Sequence, residues 1–318
     1  MIFLGVDTSC YTTSVAAVNE KGELVSQKRT LLSVAEGERG LRQSEAFFKH
    51  INNFPEIYGQ LDIDMREIAA VCVSTQPRSA GNSYMPVFFA GRRLAETIAM
   101  SLDVPLFATD HQQGHIQAAL YGMEFNKESF CAVHLSGGTT EVLAVKQTET
   151  EYKAKIIAAT TDINAGQLID RLGVKMGMTF PSGREVDRRA VTYSGVKTVL
   201  PISASFDACS FSGTEAAAIR ALEGGADHDA LCEAIMSAIT RTLSKMVGGA
   251  AYYAGMDTVL MAGGVSSSQY LRQNLPIYLE KRGMRVDLKF SMSEFSSDNA
   301  VGVALLGRKK YLSKGNKP

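Results

Sequence analysis

The stretch that decides the fold covers residues 2–18 and reads IFLGVDTSCYTTSVAAV. Ile2 to Val6 and Ser14 to Val18 are mainly apolar, whereas Asp7 to Thr13 is polar. Two short apolar runs separated by a polar segment are typical of two strands joined by a turn. The sequence therefore predicts a strand, a turn and a second strand at this point.

The same order of elements occurs a second time. Phe130 to Leu135 and Glu141 to Val145 again read as strands, with Ser136 to Thr140 as the turn between them. In each copy a later buried strand, Ala69 to Val73 or Thr258 to Ala262, leads through a turn of small residues into a helix. Because internal repeats reveal how a chain is organised, the sequence predicts two similar halves.

The two copies also end alike. Their remaining elements are the helices 87–102 and 269–281, the strands 105–108 and 285–290, and the last helices 111–121 and 299–312, which Asp110 and Asp298 precede. Alternating strands and helices predict an α/β fold. We expect an N-terminal lobe over 1–128, a C-terminal lobe over 129–318 and a ligand cleft between them. A helical insertion over 165–249 should cover part of that cleft, and the last helix should pack back toward the first lobe.

The composition excludes several classes of function. The 318 residues include 33 lysines and arginines against 33 aspartates and glutamates, and the pI is near 7.0. A neutral chain does not bind nucleic acid by bulk electrostatics, which leaves only a local basic patch. No run approaches the roughly 18 apolar residues of a membrane span, so no membrane contact is predicted. Met1 to Leu4 reads as a strand and not as a signal peptide.

The cysteines indicate the compartment. There are five of them, and no two form a Cys-x-x-Cys pair. An odd number without paired spacing argues against both a disulfide framework and a zinc ribbon. A reducing cytoplasm fits this usage best.

Two glycine turns follow predicted strands. They are Ser136-Gly137-Gly138-Thr139-Thr140 and Gly263-Gly264-Val265-Ser266. Without Cβ atoms, such turns let backbone N–H groups approach a phosphate closely. A single Gly-Gly turn is more often a plain β-turn, but two of them in matched halves favour nucleotide binding.

The clearest local signal is a pair of histidines. His111 and His115 are four residues apart, which places both imidazoles on one face of a helix, where they can share a metal ion. Gln112 beside the first histidine cannot accept a proton, so a zinc peptidase is unfavoured. Asp298, at the head of the equivalent helix in the other half, is the natural third ligand. A purely structural histidine pair is the alternative.

Polar residues also end the first predicted strand. Asp7, Thr8 and Ser9 bring a carboxylate and two hydroxyl groups to the edge where the cleft is expected. That position suits the organisation of a metal-bound phosphate. An ordinary turn initiated by aspartate explains the same residues.

Together these residues resemble the TsaD-type tRNA threonylcarbamoyladenosine transferases, a family once called glycoproteases or O-sialoglycoprotein endopeptidases. The resemblance covers nearly the whole chain, and the motifs stand in the family's order. They are Gly5-Val6-Asp7-Thr8-Ser9-Cys10, His111 with His115, Ser136-Gly137-Gly138, Gly166 with Asp170, Phe180-Pro181-Ser182-Gly183, Ser210-Phe211-Ser212-Gly213, Gly263-Gly264-Val265-Ser266 and Asp298-Asn299.

The resemblance implies the actin-like ATPase (ASKHA) fold, with a nucleotide cleft between two similar lobes. It implies one divalent metal ion, iron or zinc, held by His111, His115 and Asp298, and ATP or threonylcarbamoyl-AMP as the ligand. The implied nucleotide-binding residues are Leu135, Ser136, Gly137, Gly138, Thr139, Asp170, Gly183, Asp187, Gly263, Gly264 and Ser268. Asp7 and Ser9 are assigned to catalysis.

The implied reaction passes the threonylcarbamoyl group from threonylcarbamoyl-AMP to an adenosine of tRNA in the cytoplasm. The implied partners are tRNA, an adenine nucleotide, a paralogous protein and an ATPase. No membrane is involved.

The chain also departs from the family pattern. The family usually has Asp-Glu where Tyr11 and Thr12 stand, Glu at Gln113, His at Thr139 and Asn at Ser268, and the segment 39–42 is altered. These changes remove acid, base or amide groups but leave the metal ligands. Two functions therefore stay open, the transferase and a divergent paralogue that binds a nucleotide as a partner or regulator without the transfer reaction. A peptidase is disfavoured because no general base accompanies the histidine pair.

Overall fold

The computed structural model describes residues 1–9, 11–33, 41–79 and 85–315. Cys10 of the first motif and residues 39–40 of the altered segment lie outside them. The chain divides into two compact units. The first comprises Met1–Glu124, Gln147–Tyr152 and Ser297–Pro318, and the second comprises Phe125–Lys146 and Lys153–Ser296.

Strands and helices alternate along the described chain. The strands are β1 (Ile2–Asp7), β2 (Thr12–Asn19), β3 (Leu24–Leu31), β4 (Ile68–Ser74), β5 (Leu106–Thr109), β6 (Ser129–Leu135), β7 (Thr140–Gln147), β8 (Tyr152–Thr160), β9 (Ser203–Ala204), β10 (Ala208–Ser210), β11 (Thr258–Ala262) and β12 (Asp287–Phe290). The α-helices are α1 (Gln43–Gly59), α2 (Val87–Leu102), α3 (His111–Ala119), α4 (Ala165–Lys175), α5 (Gly183–Thr192), α6 (Ser212–Glu223), α7 (His228–Ala254), α8 (Gln269–Glu280) and α9 (Val301–Ser313). The predicted α/β class is confirmed. Among the described helices none is long and apolar enough to cross a membrane.

The first unit is built on a five-stranded sheet in the order β3-β2-β1-β4-β5. β1 runs antiparallel to β2 and parallel to β4, which runs parallel to β5. One face of the sheet directs Val6 and Val73 into an apolar core with Phe54 of α1 and Ala95 of α2. Since side chains alternate along a strand, Asp7 points to the opposite face.

Helix α9 packs closely on that opposite face. A Cβ atom at Gly5 would lie 2.4 Å from the carbonyl oxygen of Ala300, and one at Gly307 would lie 2.5 Å from Cβ of Cys72. Neither position has room for a larger residue, so the two glycines set how near α9 comes to the sheet. The residues just before α9, among them Asp298, are thereby held near the end of β1.

The second unit is built on a seven-stranded sheet in the order β12-β11-β6-β7-β8-β10-β9. β6 pairs antiparallel with β7 and parallel with β11, as β1 does with β2 and β4. The repeated plan read from the sequence is therefore present in both units. Leu231, Ile235 and Ile239 of α7 are fully buried, and this long helix forms the centre of the unit's core.

Some element boundaries differ from the prediction for local reasons. The predicted helix 299–312 begins at Val301, because the side chain of Asn299 accepts a hydrogen bond from the Val301 N–H over 3.0 Å. The predicted helical insertion contains α4 to α7 and also the strands β9 and β10. These two strands are too short for alternation to reveal them.

Candidate metal centre and glycine turns

The metal-ligand candidates begin with α3. The carboxylate of Asp110 accepts a hydrogen bond from the Gln113 N–H over 2.9 Å and caps the helix. The helix therefore begins at His111, and the four-residue spacing places His111 and His115 on one face. The two side chains are 13% and 7% exposed, so both imidazoles are largely withdrawn from water.

Three side chains converge in the first unit. Nε2 of His115 lies 2.9 Å from Nε2 of His111 and 3.0 Å from Oδ1 of Asp298. Nε2 of His111 lies 3.6 Å from the same Oδ1. All three ligand atoms thus lie within 4.8 Å of one another. Two imidazoles and one carboxylate suit iron(II) or zinc, so the donor set fits a divalent metal ion.

Asp7 contacts the opposite side of the His111 ring. Its Oδ2 lies 2.8 Å from Nδ1 of His111, and its Oδ1 accepts a hydrogen bond from the Ser9 N–H over 2.7 Å. Burial alone raises the pKa of Asp7, but His111 and these hydrogen bonds lower it below its ordinary value. Because a carboxylate only accepts, Nδ1 of His111 carries the hydrogen. In the neutral imidazole, Nε2 then presents its lone pair toward His115.

Opposite charges balance inside the cluster. Burial favours the neutral form of Asp298, yet the two imidazoles hold the pKa of this carboxyl well below its ordinary value. Burial likewise lowers the pKa of His111, whereas Asp7 and Asp298 raise it well above the ordinary value. A metal ion at Nε2 of His111 therefore competes with a proton for the same lone pair.

Asp298 is held in place from two directions. A Cβ atom at Gly302 would lie 1.9 Å from the carbonyl oxygen of Gly114, so the backbones of α9 and α3 are in direct contact at this point. Nη1 of Arg29 donates to Oγ of Ser297 over 2.9 Å and to the carbonyl oxygen of Asp298 over 3.4 Å. The guanidinium thereby fixes the turn that carries the third ligand.

A row of polar residues crosses the whole sheet at the level of Asp7. Arg29 pairs with Ser14, Ser14 with Asp7, and Ser74 with Thr109, and the β1–β4 register places Asp7 beside Ser74. Paired residues of neighbouring strands share a face of the sheet. These five residues, the polar row, therefore lie on the face that carries α9.

Some members of the polar row have identified partners and others do not. Oγ of Ser14 accepts a hydrogen bond from the Ala300 N–H over 2.8 Å, directly before α9. The hydroxyls of Ser74 and Thr109 are buried without a hydrogen-bond partner among the described residues. The same holds for Oγ of Ser9, the predicted catalytic hydroxyl. Three buried hydroxyls thus stand near the carboxyl ends of β1, β4 and β5.

The first glycine turn lies in the second unit and closes the β6–β7 hairpin. The Ser136 N–H donates to the carbonyl oxygen of Thr139 over 2.8 Å, and the Gly138 N–H donates to Oγ of Ser136 over 3.2 Å. A Cβ atom at Gly137 or Gly138 would meet no described atom within 4 Å. The backbone of this turn therefore faces open space. For the same reason, packing does not require glycine at either position.

The second glycine turn and the start of α4 both lie against the first turn. Gly263 has a φ of +92°, and a Cβ atom there would lie 2.2 Å from the carbonyl oxygen of Leu135. A Cβ atom at Gly166 would lie 2.7 Å from the Gly137 nitrogen. Gly264 has no described atom within 4 Å of its Cβ position. The structure thus brings both predicted glycine motifs to one place in the second unit.

Asp170 belongs to α4, and its carboxylate lies at the start of α5. Its Oδ1 accepts a hydrogen bond from the Ser182 N–H over 2.8 Å, and Gly183 donates a further backbone hydrogen bond. Burial nevertheless raises the pKa of Asp170 above its ordinary value. The fold thus holds a carboxylate in a place that favours its neutral form.

Asp187 and Ser268 meet at the start of α8. Oγ of Ser268 donates to Oδ1 of Asp187 over 2.5 Å, and the Gln269 and Tyr270 N–H groups donate to the same carboxylate over 2.9 and 3.1 Å. Ser268 also accepts from the Leu271 N–H over 3.0 Å. Both predicted nucleotide residues therefore cap this helix.

The predicted site residues fall into two groups, one in each unit. The first unit holds Asp7, Ser9, His111, His115 and Asp298. The second unit holds Leu135, Ser136, Gly137, Gly138, Thr139, Asp170, Gly183, Asp187, Gly263, Gly264 and Ser268. Sequence reasoning missed Arg29 and Ser14, because neither stands in a motif, and only the strand register connects them to Asp7.

A family model described as TsaD, tRNA N6-adenosine threonylcarbamoyltransferase, matches residues 45–305. The chain belongs to this family. A tRNA N6-adenosine threonylcarbamoyltransferase of Thermosipho africanus is 27% identical over 98% of this TsaD-family chain and 94% of its own length. A probable bifunctional tRNA threonylcarbamoyladenosine biosynthesis protein of Methanothermobacter thermautotrophicus is also 27% identical, over 99% of the chain and 57% of its own length.

Solved structures show the same fold. Component A of the (R)-2-hydroxyglutaryl-CoA dehydratase of Acidaminococcus fermentans superposes with a TM-score of 0.60 at 18% identity, over 98% of this TsaD-family chain and 99% of its own. A ROK family glucokinase of Streptomyces griseus gives 0.56 at 11% identity, over 97% and 100% of the two chains. The predicted actin-like ATPase fold is confirmed.

One departure of this TsaD-family chain has a clear structural role. Nε2 of Gln113 donates to Oδ2 of Asp110 over 2.7 Å, and its Oε1 accepts from the Tyr152 N–H over 2.9 Å. A glutamate, which the family usually has at this position, cannot donate to Asp110. Gln113 is therefore part of the cap that begins α3.

The described cysteines offer no nucleophile. Cys72, Cys131, Cys209 and Cys232 are all buried and free of disulfides. Burial raises the pKa of Cys131 and Cys209 to about 11 and that of Cys72 and Cys232 to about 12. At neutral pH these groups are thiols, which are poor nucleophiles.

Proposed function

We propose that this chain transfers a threonylcarbamoyl group from threonylcarbamoyl-AMP to an adenosine of tRNA. The observation that carries the proposal is the convergence of His111, His115 and Asp298, with Asp7 behind the first ligand. Family membership and the names of relatives that match over nearly their full length support it.

His111, His115 and Asp298 would hold one divalent metal ion, iron or zinc. When bound, the ion supplies positive charge that offsets charge developing on a phosphate group. Asp7 keeps the hydrogen of His111 at Nδ1, so that Nε2 stays available as a ligand. Arg29 and the glycine contact of α9 with α3 keep Asp298 within reach.

The glycine turns would hold the nucleotide. The space beside Gly137 and Gly138 permits close approach of a phosphate to backbone N–H groups. Asp170 would accept hydrogen bonds from the ligand as a carboxylate, the form that its bonds from Ser182 and Gly183 favour. Asp187 and Ser268 would act by fixing the start of α8.

The transfer itself is an acyl exchange. The exocyclic amine of adenosine forms a bond to the carbamoyl carbon, and the bond from that carbon to the phosphate oxygen breaks. AMP leaves, and the amine nitrogen releases one proton. Holding the mixed anhydride against the amine supplies much of the rate enhancement in such a reaction.

A second function is a nucleotide-binding paralogue that acts as a partner or regulator without the transfer reaction. Gln113 favours it, because this side chain caps α3 and offers no carboxylate to handle a proton. A paralogous protein, an ATPase and tRNA are the expected partners in either case, and the cytoplasm is the expected compartment.

Mass spectrometry of tRNA tests these functions. The tRNA is incubated with threonylcarbamoyl-AMP and this protein, with and without the host's partner proteins, and digested to nucleosides. We expect threonylcarbamoyladenosine with the wild type and with His228→Ala, an exposed histidine outside the cluster, but not with His111→Ala. Absence of product from protein that binds ATP supports the paralogue instead.

A further inference from the structure

A shallow groove lies between the end of α4 and the first turns of α5 in the second unit. Its volume is about 510 Å³, and its lining includes Met178, Thr179, Pro181, Arg184 and Arg188. We call it the α4–α5 groove. It belongs to neither of the two groups of site residues, although Pro181 directly precedes Ser182 and Gly183.

The charge of the α4–α5 groove is positive in a chain that is neutral overall. Of its four charged lining residues, Arg184, Arg188 and Arg189 are cationic and only Glu185 is acidic. Arg188 donates two hydrogen bonds of 2.7 and 2.8 Å to the carboxylate of Glu185, and these bonds fix the plane of the Arg188 guanidinium. Arg189 forms ion pairs with both Glu185 and Asp229, and these two carboxylates balance its charge.

Two cations at the groove have no partner acid among the described residues, Arg184 of the lining and Lys175, which precedes the lining residue Met176 in the sequence. Arg184 lies in the first turn of α5 and Lys175 ends α4, and both are exposed. Within the ranges that the structure describes, neither forms an ion pair. The two side chains are therefore available to phosphate groups on either side of the groove.

An exposed aromatic residue stands in the sequence between two lining residues of the groove, Thr179 and Pro181. Phe180 is 70% exposed, although its neighbours Ser182 and Val186 are buried. A phenyl ring left in water at the border of a cationic groove is a platform on which a nucleobase can stack. Stacking on such a ring is tolerant of base identity, while spaced cations follow the phosphate backbone.

We propose that the α4–α5 groove binds single-stranded RNA, with a base stacked on Phe180 and phosphates on Lys175, Arg184 and Arg188. This inference rests on the proposed function, because it names the surface that would hold the tRNA loop. RNA fits better than a protein partner, since the lining is mainly cationic and the exposed Phe180 stands next to two lining residues in the sequence.

Fluorescence anisotropy with a labelled anticodon stem-loop RNA over a range of salt concentrations tests the groove. The double variant Lys175→Ala/Arg184→Ala should bind about tenfold more weakly, and its salt dependence should fall by about two phosphate contacts. Phe180→Ala should weaken binding by about tenfold with the salt dependence unchanged, and Phe180→Tyr should restore it. Lys281→Ala/Arg285→Ala, two exposed cations elsewhere in the second unit, should bind like the wild type.

Several results would overturn the proposal. One is that the groove variants bind RNA as tightly as the wild type, and another is that the wild type binds no RNA or binds a polyglutamate peptide equally well. A third is that the groove variants lose ATP affinity in parallel, which would make the groove a mononucleotide subsite. The two inferences can fail separately. Groove-dependent RNA binding without any product removes the transferase and keeps the groove. If product forms but the groove variants bind RNA like the wild type, the transferase is kept and the groove is removed.

Discussion

Oδ2 of Asp7 lies 2.8 Å from Nδ1 of His111, and this contact joins the end of β1 to the first residue of α3. It sets which ring nitrogen carries the hydrogen and turns the other nitrogen toward His115. The carboxylate that ends the first strand would therefore act on a bound metal ion through a histidine. Sequence reasoning alone suggested that it helps to organise a metal-bound phosphate, with an ordinary turn as the alternative.

Asp7→Asn should weaken metal binding without removing it. An amide can still accept from Nδ1 but does not raise the basicity of His111, and loss of such partners lowers metal affinity about 10–100-fold. Titration of the metal against a chelating dye measures the change. Asp62→Asn, an exposed aspartate of the same unit, controls for the loss of one negative charge. Unchanged affinity in Asp7→Asn would show that the contact does not serve the metal.

Arg29→Ala should also weaken metal binding, by about 3–10-fold, because it removes hydrogen bonds worth about 1 kcal/mol that hold the turn at Asp298. Arg29→Lys should recover part of the affinity. Lys28→Ala is the matched control, since neighbouring strand residues point to opposite faces of the sheet. An equal loss in Lys28→Ala would mean that β3, rather than the guanidinium, is responsible.

Gly302→Ala should destabilise the protein and lower its metal content together. The new methyl group would press on the carbonyl oxygen of Gly114 and force α9 away from α3, at a cost of about 2–3 kcal/mol in the free energy of unfolding. Urea denaturation and elemental analysis measure both effects. Gly213→Ala, which meets no described atom within 4 Å, should stay within about 0.5 kcal/mol of the wild type.

Gly137→Val separates a plain turn from a phosphate-binding turn. Because the Cβ position faces open space, the variant should fold with nearly unchanged stability. If the turn holds a phosphate, the branched side chain blocks its approach, and calorimetry should show ATP affinity reduced at least about tenfold. Normal ATP binding in a folded Gly137→Val protein would leave the turn without a ligand role.

Asp170→Asn should make stability less dependent on pH. The pKa of Asp170 is higher in the folded protein than its ordinary value of 3.8, so the stabilisation due to its protonated form is complete in acid and is lost as pH rises through the folded pKa. The variant should therefore be at least as stable as the wild type near neutral pH, and the two should converge in acid. Urea denaturation at several pH values measures this.

The same variant should bind ATP about tenfold more weakly, because hydrogen bonds to a charged acceptor are stronger than those to an amide. Asp287→Asn, exposed on β12, controls for the change in net charge. A variant that is less stable than the wild type at neutral pH would contradict the role of burial at Asp170.

Local sequence patterns predicted much of the fold and part of the candidate site. The apolar runs at β1, β4 and β11 lie within two residues of their predicted bounds, because burial on both faces makes a strand nearly continuous in apolar residues. The spacing of His111 and His115 predicted that both lie on one face of a helix, since four residues are about one helical turn. Asp298 was reached by analogy between the two copies.

The remaining contacts depend on register and packing. Arg29 and Ser297 are 268 positions apart, and Asp187 and Ser268 are 81 apart. No local periodicity connects such pairs, since only the pairing of strands and the approach of helices brings them together. Phe180 could not be recognised as exposed either, because its neighbours in sequence read like an ordinary turn.

The hydrogen bonds of Gln113 also limit which residues this position of the chain can tolerate. In this chain Gln113→Glu would place a second carboxylate against Asp110 and remove the side-chain N–H that Gln113 donates to it. The helix that presents His111 would then lose part of its cap. Gln113→Glu alone is therefore expected to be harmful, and a glutamate at this position needs a compensating change at Asp110.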